Sequence, residues 1–344
     1  MVRQQDARIV RSVKPIVRSC GERTTRQAVA LLSKIFDIDD IEVVREVPFE
    51  KALRATYEIG IASGREWAFV MDADVLPSPR RLRQALTSRA DRVEDVFVFR
   101  GLVLDKFFGW PREVGNYIYR TSLLGTALDL IPRAGAKVRP EFSTIQAMHH
   151  RGHRMETVED MTYAVHDFEQ FYKDLFRKGY VYASKHPAMQ ILMTDWQKRG
   201  EKDADFFVML AGAVAHNARG GEVEIDVRRF PKDLGVFLTN YGLAEKDVLS
   251  DLDISEERVD SLISSWSPSP VYHAYHAYLG LWPRDRSGFS PARMRALFGW
   301  MRKSRKRGSL SVELRYLITA SLRRQRRSLK PEFDFDTLFA DPSD

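Results

Sequence analysis

The stretch Trp67-Ala68-Phe69-Val70-Met71-Asp72-Ala73-Asp74-Val75-Leu76 decides the fold that the sequence predicts. It begins with five apolar residues and then carries two carboxylates, and it is bounded by Arg65-Glu66 and by Pro77-Ser78-Pro79. An apolar run of this length between such boundaries is typical of a buried central strand of an α/β sheet. Such strands end at a crevice where ligands of open α/β sheets bind. The stretch therefore predicts a central strand and a ligand site at its end.

The two carboxylates, Asp72 and Asp74, are two residues apart, so we expect them to share one face of an extended chain. Carboxylates this close repel each other unless a positive charge lies between them. A divalent cation that carries a diphosphate meets this need, because Mg²⁺ and Mn²⁺ accept a few carboxylates and complete their shell with phosphate oxygens. A solvated turn is the alternative interpretation of an isolated Asp-x-Asp triplet.

Two strand–helix units precede this stretch. Strands are predicted at 14–19 and 41–44, each followed by a run of apolar residues at helical spacing. The first helix follows Thr24 or Thr25 as cap, and the second ends at Gly64. The apolar positions are Ala28, Leu31, Leu32 and Ile35 in the first helix and Ala52, Ala55, Ile59 and Ala62 in the second. This order predicts half of a doubly wound parallel sheet.

Composition limits the class of protein. The chain has 344 residues, of which 44% are hydrophobic and 29% charged, as expected for one large globular domain or two smaller ones. The longest apolar stretch, 206–215, is much shorter than the about 20 residues that span a bilayer. Residues 1–6 lack the apolar core of a secretory signal. The single cysteine, Cys20, excludes an internal disulfide framework. These features together predict a cytoplasmic protein.

The positive charge is concentrated near the C-terminus. The net charge is +7, but 284–330 holds fifteen Lys and Arg against two acidic residues, which is +13 locally and leaves −6 for the rest. No recognised nucleic-acid-binding motif accompanies this charge, so we expect no nucleic-acid partner. A helix opening at Ser290-Pro291 combines an apolar face with many cations: Met294, Leu297, Phe298 and Met301 against Arg293, Arg302, Lys303, Arg305, Lys306 and Arg307. It suits an anionic membrane surface or, equally, packing on the protein core.

The segments IVRSCGERT (16–24) and REVPFEKALRATYEIGIASGREWAFVMDADVL (45–76) resemble the nucleotide-binding half of GT-A glycosyltransferases. They resemble in particular the family-2-like bacterial enzymes of surface-polysaccharide synthesis, and the resemblance extends from about Ile16 to His186. It implies an α/β fold of the GT-A type, a Rossmann-like, mostly parallel sheet with flanking helices. In that fold the Asp-x-Asp ends the strand that holds the sugar nucleotide, and its second carboxylate usually meets the metal.

The resemblance also implies a domain organisation. Residues 1–200 form the catalytic domain, with a nucleotide-sugar half at about 10–105 and an acceptor and metal-return half at about 106–200. Beyond the resemblance, residues 201–344 are predicted from the residues themselves as a mainly helical region with a basic tail. Further elements are predicted as a strand at 92–104, a segment 116–131 that ends in a helix, and helices at 141–149, 206–216 and 252–264.

A histidine beyond the sheet often returns in GT-A enzymes as the third protein ligand of the metal. The resemblance implies this role for His166, beside Asp72 and Asp74, with Mn²⁺ or Mg²⁺ as the cofactor. A neighbouring carboxylate can orient such an imidazole. The alternative is a histidine that is satisfied in the core or exposed at a helix start. The other nearby histidines, 149, 150 and 153, lie in a polar run that predicts a solvated helix end.

A catalytic base is needed if the reaction inverts the anomeric centre, and Asp167 and Asp160 are the candidates near His166. A retaining reaction needs no such base, and Asp167 could equally cap a helix. Cations that could neutralise the leaving diphosphate, together with Asp72 on the nucleotide side, form the predicted donor-binding set. These cations are Arg18, Lys51, Arg54, Lys185 and His186.

The predicted function is therefore a hexosyltransferase-type glycosyltransferase of bacterial surface-polysaccharide or lipopolysaccharide synthesis. Its expected partners are a UDP-sugar donor and a saccharide or lipid-linked saccharide acceptor, with a peripheral contact on the inner face of the membrane. One alternative is a nucleotidyltransferase, which usually needs a Gly-rich loop where only Gly21 is available. A dehalogenase-type phosphatase would want Thr or Val where Leu76 stands. A non-catalytic scaffold with a basic tail is the third alternative.

Overall fold

The computed structural model describes residues 9–87, 95–137, 139–186, 188–219, 231–250, 254–281 and 291–325. The chain has a mixed α/β structure with one eight-stranded sheet. The strands are β1 (Val13–Arg18), β2 (Glu42–Val44), β3 (Trp67–Asp72), β4 (Val75–Pro77), β5 (Val96–Asp105), β6 (Trp110–Arg112), β7 (Asn116–Arg120) and β8 (Arg154–His166).

The helices up to the end of the sheet are α1 (Thr25–Leu32), α2 (Phe49–Ala62), α3 (Pro79–Thr87), α4 (Leu124–Leu128) and α5 (Pro140–His150). Those after the sheet are α6 (Tyr172–Lys185), α7 (Met189–Gly200), α8 (Ala204–Arg219), α9 (Pro231–Asn240), α10 (Glu256–Ser265), α11 (Pro270–Leu281), α12 (Pro291–Lys306) and α13 (Leu310–Gln325). Within the described ranges, the helices are all too short or too polar to cross a bilayer.

The sheet has the strand order β2-β1-β3-β7-β5-β8-β4, and β6 pairs with β5. The predicted β-α-β-α-β unit is confirmed, because β2, β1 and β3 are parallel neighbours joined through α1 and α2. Beyond β3 the direction alternates: β7 is antiparallel to both β3 and β5, and β8 is parallel to β5. Strands β1, β3, β5 and β8 therefore all run the same way, and their carboxyl ends meet at one edge of the sheet.

Successive side chains of β3 point to opposite faces of the sheet, so the strand is buried on both sides. Trp67, Phe69 and Met71 belong to a core on one face of the sheet, whereas Ala68 and Val70 belong to a core on the other. All five side chains are at most 6% exposed. Helices α1 and α3 contribute to the first core and helices α2, α4 and α5 to the second. A continuous apolar run is what a strand covered on both faces requires.

A third core lies among the helices after the sheet. Helices α6 and α8 approach each other most closely at two glycines. A Cβ atom at Gly179 would lie 2.0 Å from the backbone oxygen of Met209, and one at Gly212 would lie 2.0 Å from that of Phe176. The core continues from α6 and α7 into α8, so packing is continuous across the predicted domain division at 200/201. That division stays a prediction.

Most predicted elements are found, with shifts at their ends. Helices α5, α8 and α10 correspond to the predictions at 141–149, 206–216 and 252–264, and β5 to the strand at 92–104, whose residues 92–94 lie outside the described residues. Segment 116–131 contains a helix near its end as predicted, but the helix α4 is short and the segment begins with strand β7. Thr24 precedes α1 as expected, but its hydroxyl does not cap the helix. It donates instead to the backbone oxygen of Ala73 and ties α1 to the end of β3.

Candidate functional site

Four of the strands that run in the same direction end at charged residues. Arg18 ends β1, Asp72 ends β3, Asp105 ends β5 and His166 ends β8. Arg18 lies opposite Asp72 in the register of β1 and β3, and Asp105 lies opposite His166 in that of β5 and β8. The sheet therefore gathers residues separated by up to about 150 positions at one edge. This is the edge at which α/β sheets bind ligands.

The two carboxylates of the Asp-x-Asp triplet have different partners in the folded chain. Strand β3 ends at Asp72, and Asp74 lies in the turn that leads to β4, so the two are no longer on one extended chain. Asp72 accepts a hydrogen bond of 2.8 Å from Arg18 Nε. Asp74 instead faces His166, whose Nε2 lies 3.6 Å from its Oδ1.

The centre of the site is formed by Asp74, His166 and Asp167. One ligand atom from each lies within 4.8 Å of the others, and all three side chains are buried or nearly so. The ammonium of Lys178, from α6, contacts Asp74 Oδ2 and Asp167 Oδ1. The other oxygens of these carboxylates face the His166 ring, with Asp74 Oδ1 at 3.6 Å from Nε2 and Asp167 Oδ2 at 3.3 Å from Nδ1.

His166 is held in place by Asp105 on the neighbouring strand. Its Nδ1 lies 3.0 Å from Asp105 Oδ2, which leaves Nε2 directed towards Asp74. Asp105 is itself fully buried and accepts hydrogen bonds from the backbone N–H groups of Phe107 and Phe108 and from Arg112. A carboxylate that binds one ring nitrogen of a histidine and so presents the other is the usual support of a metal-ligating imidazole.

Asp167 adopts a backbone conformation that is uncommon for a residue with a side chain. Its φ is 65°, in the left-handed region, and its backbone N–H donates to the backbone oxygen of Asp74 at 3.1 Å. The alternative that Asp167 caps a helix is wrong, because α6 begins five residues later, at Tyr172. Left-handed residues of this kind are found preferentially at functional sites, where the surrounding structure holds them.

The charges of the centre depend on one another. Burial lowers the pKa of His166, but Asp167 and Asp74 raise it more, to about 10. Burial raises the pKa of Asp74, whereas Lys178 and His166 lower it, and the net result is a pKa well below the usual range. Burial opposes the charge of Lys178, but Asp167 and Asp74 raise its pKa well above the usual value. Without a metal, the carboxylates are therefore balanced by an imidazolium and an ammonium.

The donor set of the centre fits a divalent cation. The carboxylate oxygens of Asp74 and Asp167 and the imidazole nitrogen of a neutral His166 are ligands that Mn²⁺ accepts readily, and Mg²⁺ accepts the oxygens. Asp72 is outside this group, because Arg18 holds it. Arg18 in turn donates to both oxygens of Glu141, at 2.7 and 3.2 Å, and the hydroxyl of Tyr119 donates to Glu141 as well.

Asp72 forms the rim of the centre rather than part of it. Its side chain is 32% exposed, in contrast to the buried Asp74. Burial raises the pKa of Asp72 and Arg18 lowers it, and with Asp74 nearby the net pKa is about 6. Asp72 therefore changes its charge close to neutral pH, whereas Asp74 stays ionised.

The centre opens into a cleft of about 200 Å³ that several elements line. Its wall includes two predicted donor-binding cations, Arg18 and Lys185, together with Asp72, Asp74 and His166. The remaining lining residues are Ser19, Cys20, Glu22, Val44, Glu46, Phe49, Ala52, Val114, Arg177, Lys178, Val181 and Tyr182.

Three other predicted donor-binding cations do not contribute a positive charge to the wall of the cleft. Lys51 and Arg54 are exposed on α2, whose positions 52 and 53 face the core, and neither is among the lining residues. His186 packs against the rings of Phe108 and Tyr182, at 5.1 and 5.2 Å between centroids. Burial, followed by Arg112, lowers the pKa of His186 to about 2, so it is neutral rather than cationic at neutral pH.

Sequence reasoning missed several residues of the site. Asp105 ends an apolar strand just as Asp72 does, and this signal was present in the sequence. Lys178 lies on the same helical stripe as Leu175, Val181 and Tyr182, and a charge on an apolar stripe is a second such signal. Glu22 also lines the cleft, and burial and then Asp74 raise its pKa. The side chain of Asp160, a predicted base, lies outside the described residues.

Comparison with known proteins gives distant structural matches only. No protein-family model and no curated protein sequence matches this chain. One solved structure that matches is a glycosyltransferase involved in the glycosylation of the major capsid of PBCV-1, at 14% identity over 45% of this chain and 93% of that chain, with a TM-score of 0.33. Another is a mannosyltransferase from Pyrobaculum calidifontis in complex with GDP-Man and Mn²⁺, at 16% identity over 92% and 88%, also with a TM-score of 0.33. At this level of similarity, function has to be argued from the site itself.

Proposed function

We propose that this chain is a metal-dependent glycosyltransferase of the GT-A type that moves a sugar from a nucleotide-sugar donor to an acceptor hydroxyl. One observation carries the proposal: Asp74 and His166, 92 positions apart, meet at 3.6 Å at the ligand-binding edge of the sheet. They do so at the wall of an open cleft that also presents Arg18, Lys178 and Lys185. A metal ion and fixed cations both stabilise the negative charge that develops on a leaving diphosphate.

The residues that would hold the metal are Asp74, Asp167 and His166, with Asp105 orienting His166 through Nδ1. Mn²⁺ or Mg²⁺ bound there supplies positive charge to the diphosphate that leaves the sugar. Asp167 fits this donor set better than the role of catalytic base, because it is fully buried and contacts Lys178. The exposed face of Asp72 is available to the nucleotide side of the donor.

The chain's own cations would assist the departure of the nucleotide. Lys178 and Lys185 both belong to α6 and both line the cleft, so one helix aligns two ammonium groups along its wall. Arg18 is only 4% exposed and already binds Asp72 and Glu141. Its role is therefore to position Asp72 at the cleft wall, and not to bind the diphosphate freely. Positive charge fixed where negative charge develops is an effective form of catalysis.

The proposal is tested by incubating the protein with a panel of UDP- and GDP-sugars and an added saccharide acceptor, with Mn²⁺, with Mg²⁺ or with EDTA. A glycosyltransferase releases nucleoside diphosphate from a subset of the donors, and only when metal is present. A nucleotidyltransferase would instead form nucleoside triphosphate when pyrophosphate is supplied. If no donor is consumed with any metal, and no triphosphate is formed, the scaffold alternative replaces the enzyme.

We further propose that the enzyme works at an anionic membrane surface, on the acceptors of cell-surface polysaccharide synthesis. Helices α12 and α13 attach to the body of the protein through Trp300, Tyr316 and Leu317. Their outer surface carries three exposed apolar side chains, with Phe298 at 60%, Val312 at 46% and Ile318 at 49% exposure. The same two helices carry exposed cations at Arg302, Lys303, Arg305, Lys306 and Arg315. Apolar and basic groups on one surface are what binding to anionic lipid requires.

A further inference from the structure

The ammonium of Lys178 balances the negative charge of Asp74 and Asp167, which the proposed metal would also balance. Its side chain is 9% exposed, and its ammonium contacts one oxygen of Asp74 and one of Asp167. These are two of the three residues that form the metal-donor group. One buried cation of the chain therefore binds the same carboxylates as the cofactor would.

The ammonium contacts only one oxygen of each carboxylate. Asp74 Oδ1 lies 3.6 Å from His166 Nε2 and Asp167 Oδ2 lies 3.3 Å from His166 Nδ1, so both oxygens face the imidazole rather than the ammonium. A divalent cation held by the same two carboxylates would bring a second positive charge close to the ammonium. Two positive charges that close to each other repel strongly inside a protein, so the two cations compete for the site.

Lys178 has an alternative position close by. Its side chain lines the donor cleft as well as contacting the carboxylates. Helix α6 itself is held against α8 by the close approach at Gly179, the residue that follows Lys178. A lysine has a long stem with rotatable bonds, so the ammonium can change position while the helix stays in place.

We infer that Lys178 is a resident counterion that the metal displaces from Asp74 and Asp167 into the donor cleft, where its ammonium then meets the donor diphosphate. The inference rests on the proposed function. In the metal-free protein Lys178 holds the two carboxylates together. When metal binds, the same residue becomes a diphosphate ligand, so that metal entry prepares the cleft for the donor.

The first test measures Mn²⁺ affinity without any donor, from the free Mn²⁺ signal in electron paramagnetic resonance. Lys178→Met removes the competitor, and we expect its affinity for Mn²⁺ to exceed that of the wild type by about tenfold. Lys173→Met is the matched control, because Lys173 is an exposed lysine of the same helix and Lys173→Met removes the same net charge. Its affinity should equal that of the wild type. An unchanged or weaker affinity in Lys178→Met would overturn the inference.

The second test uses the wild-type protein and does not depend on the folding of a variant. Lysines are labelled with an amine-acylating reagent, with and without saturating Mn²⁺, and the modified positions are identified by mass spectrometry. Lys178 should be protected without Mn²⁺ and become several-fold more reactive with it, while Lys173 stays equally reactive. Protection of Lys178 at saturating Mn²⁺ would reject displacement and leave the proposed function intact. Absence of Mn²⁺ binding would reject both together.

Discussion

The roles of Asp72 and Asp74 differ because the chain turns between them. Asp72 still belongs to β3 and faces Arg18, whereas Asp74 follows the turn and joins His166 and Asp167. One carboxylate is partly exposed and paired with the guanidinium of Arg18, and the other is buried and paired with the ammonium of Lys178. The two positions of one triplet therefore predict different consequences of mutation.

Asp74→Asn should abolish Mn²⁺ binding and sugar transfer, because a neutral amide cannot balance the charge of the metal. We expect a loss larger than the roughly 10- to 100-fold caused by residues that only support a ligand. Asp72→Asn should abolish transfer while Mn²⁺ still binds. Mn²⁺ titration and donor turnover measure the two effects, and circular dichroism should be unchanged in both variants.

Asp95→Asn serves as the control, since Asp95 is an exposed carboxylate that pairs with Arg154 away from the cleft. It should behave as the wild type in both assays. Wild-type turnover in Asp74→Asn would rule out a metal site at this position.

The raised pKa of His166 predicts a pH dependence of metal binding. With a pKa of about 10 in the metal-free protein, the imidazole is protonated at neutral pH, but only the neutral form can ligate a metal. Mn²⁺ affinity should therefore rise as the pH rises from 6.5 to 8.5, by up to about tenfold per pH unit for the one proton released.

His166→Gln removes the titrating ligand, so its Mn²⁺ affinity should be weaker than that of the wild type and much less dependent on pH. Calorimetric titrations in buffers of different ionisation enthalpy count the protons released. A wild-type affinity that is flat between pH 6.5 and 8.5 would mean that His166 is not a ligand.

At the scale of elements, the site depends on how α6 packs against α8. Helix α6 carries Arg177, Lys178 and Lys185 to the cleft, and its distance from α8 is set by Gly179 and Gly212. At both glycines the nearest atom to an added Cβ would be a backbone oxygen of the other helix. A backbone cannot move aside as a flexible side chain can, so the helices would have to separate. The position of Lys178 is thus tied to the packing of a different core.

Gly179→Ala should lower the free energy of unfolding by about 1–3 kcal/mol, the usual cost of overpacking a core. Urea unfolding followed by circular dichroism measures it. Because α6 would shift together with Lys178, the variant should also bind Mn²⁺ with altered affinity. A stability equal to or above the wild type would contradict the close approach.

Gly235→Ala is the matched control for this substitution. Gly235 is an exposed glycine of α9, and a Cβ there would meet nothing within 4 Å. Alanine is a better helix former than glycine by about 1 kcal/mol, so this variant should be as stable as the wild type or more so.

At the scale of the whole molecule, one helix pair, α12 and α13, combines many exposed cations with three exposed apolar side chains. A hydrogen-bond network at the turn between α12 and α13 joins the two helices. In this network Glu313 accepts hydrogen bonds from Ser304, Ser309 and Arg307. The sequence predicts an apolar face on α12, and the structure describes the side chains of only part of that face. Phe298 is exposed and Met301 is partly buried, while the side chains of Met294 and Leu297 lie outside the described residues.

The protein should sediment with anionic vesicles and not with neutral ones. Binding should weaken between 0.1 M and 1 M salt, because the Debye length falls from about 10 Å to about 3 Å. Phe298→Ser should weaken binding if its side chain inserts into the lipid. Val248→Ser, which alters an exposed apolar residue elsewhere, should leave binding unchanged. Protein that stays in the supernatant with anionic vesicles at low salt would reject a membrane contact.

The sequence by itself determined the first part of the fold and part of the site. Strands β1 to β3 and helices α1 and α2 were predictable because apolar periodicity is a local property and each element follows the previous one in space. Asp74 was a candidate because it closely follows an apolar strand, and His166 because the resemblance to GT-A enzymes implied a third metal ligand there.

The tertiary structure alone decided which of these residues meet. The chain turns after Asp72, so only the folded geometry separates the two carboxylates of the triplet. Asp105 reaches His166 because β5 and β8 become neighbours, and Lys178 reaches Asp74 because α6 packs on α8. These contacts join residues 61 and 104 positions apart. They arise from the packing of whole elements, and no local pattern of residues encodes them.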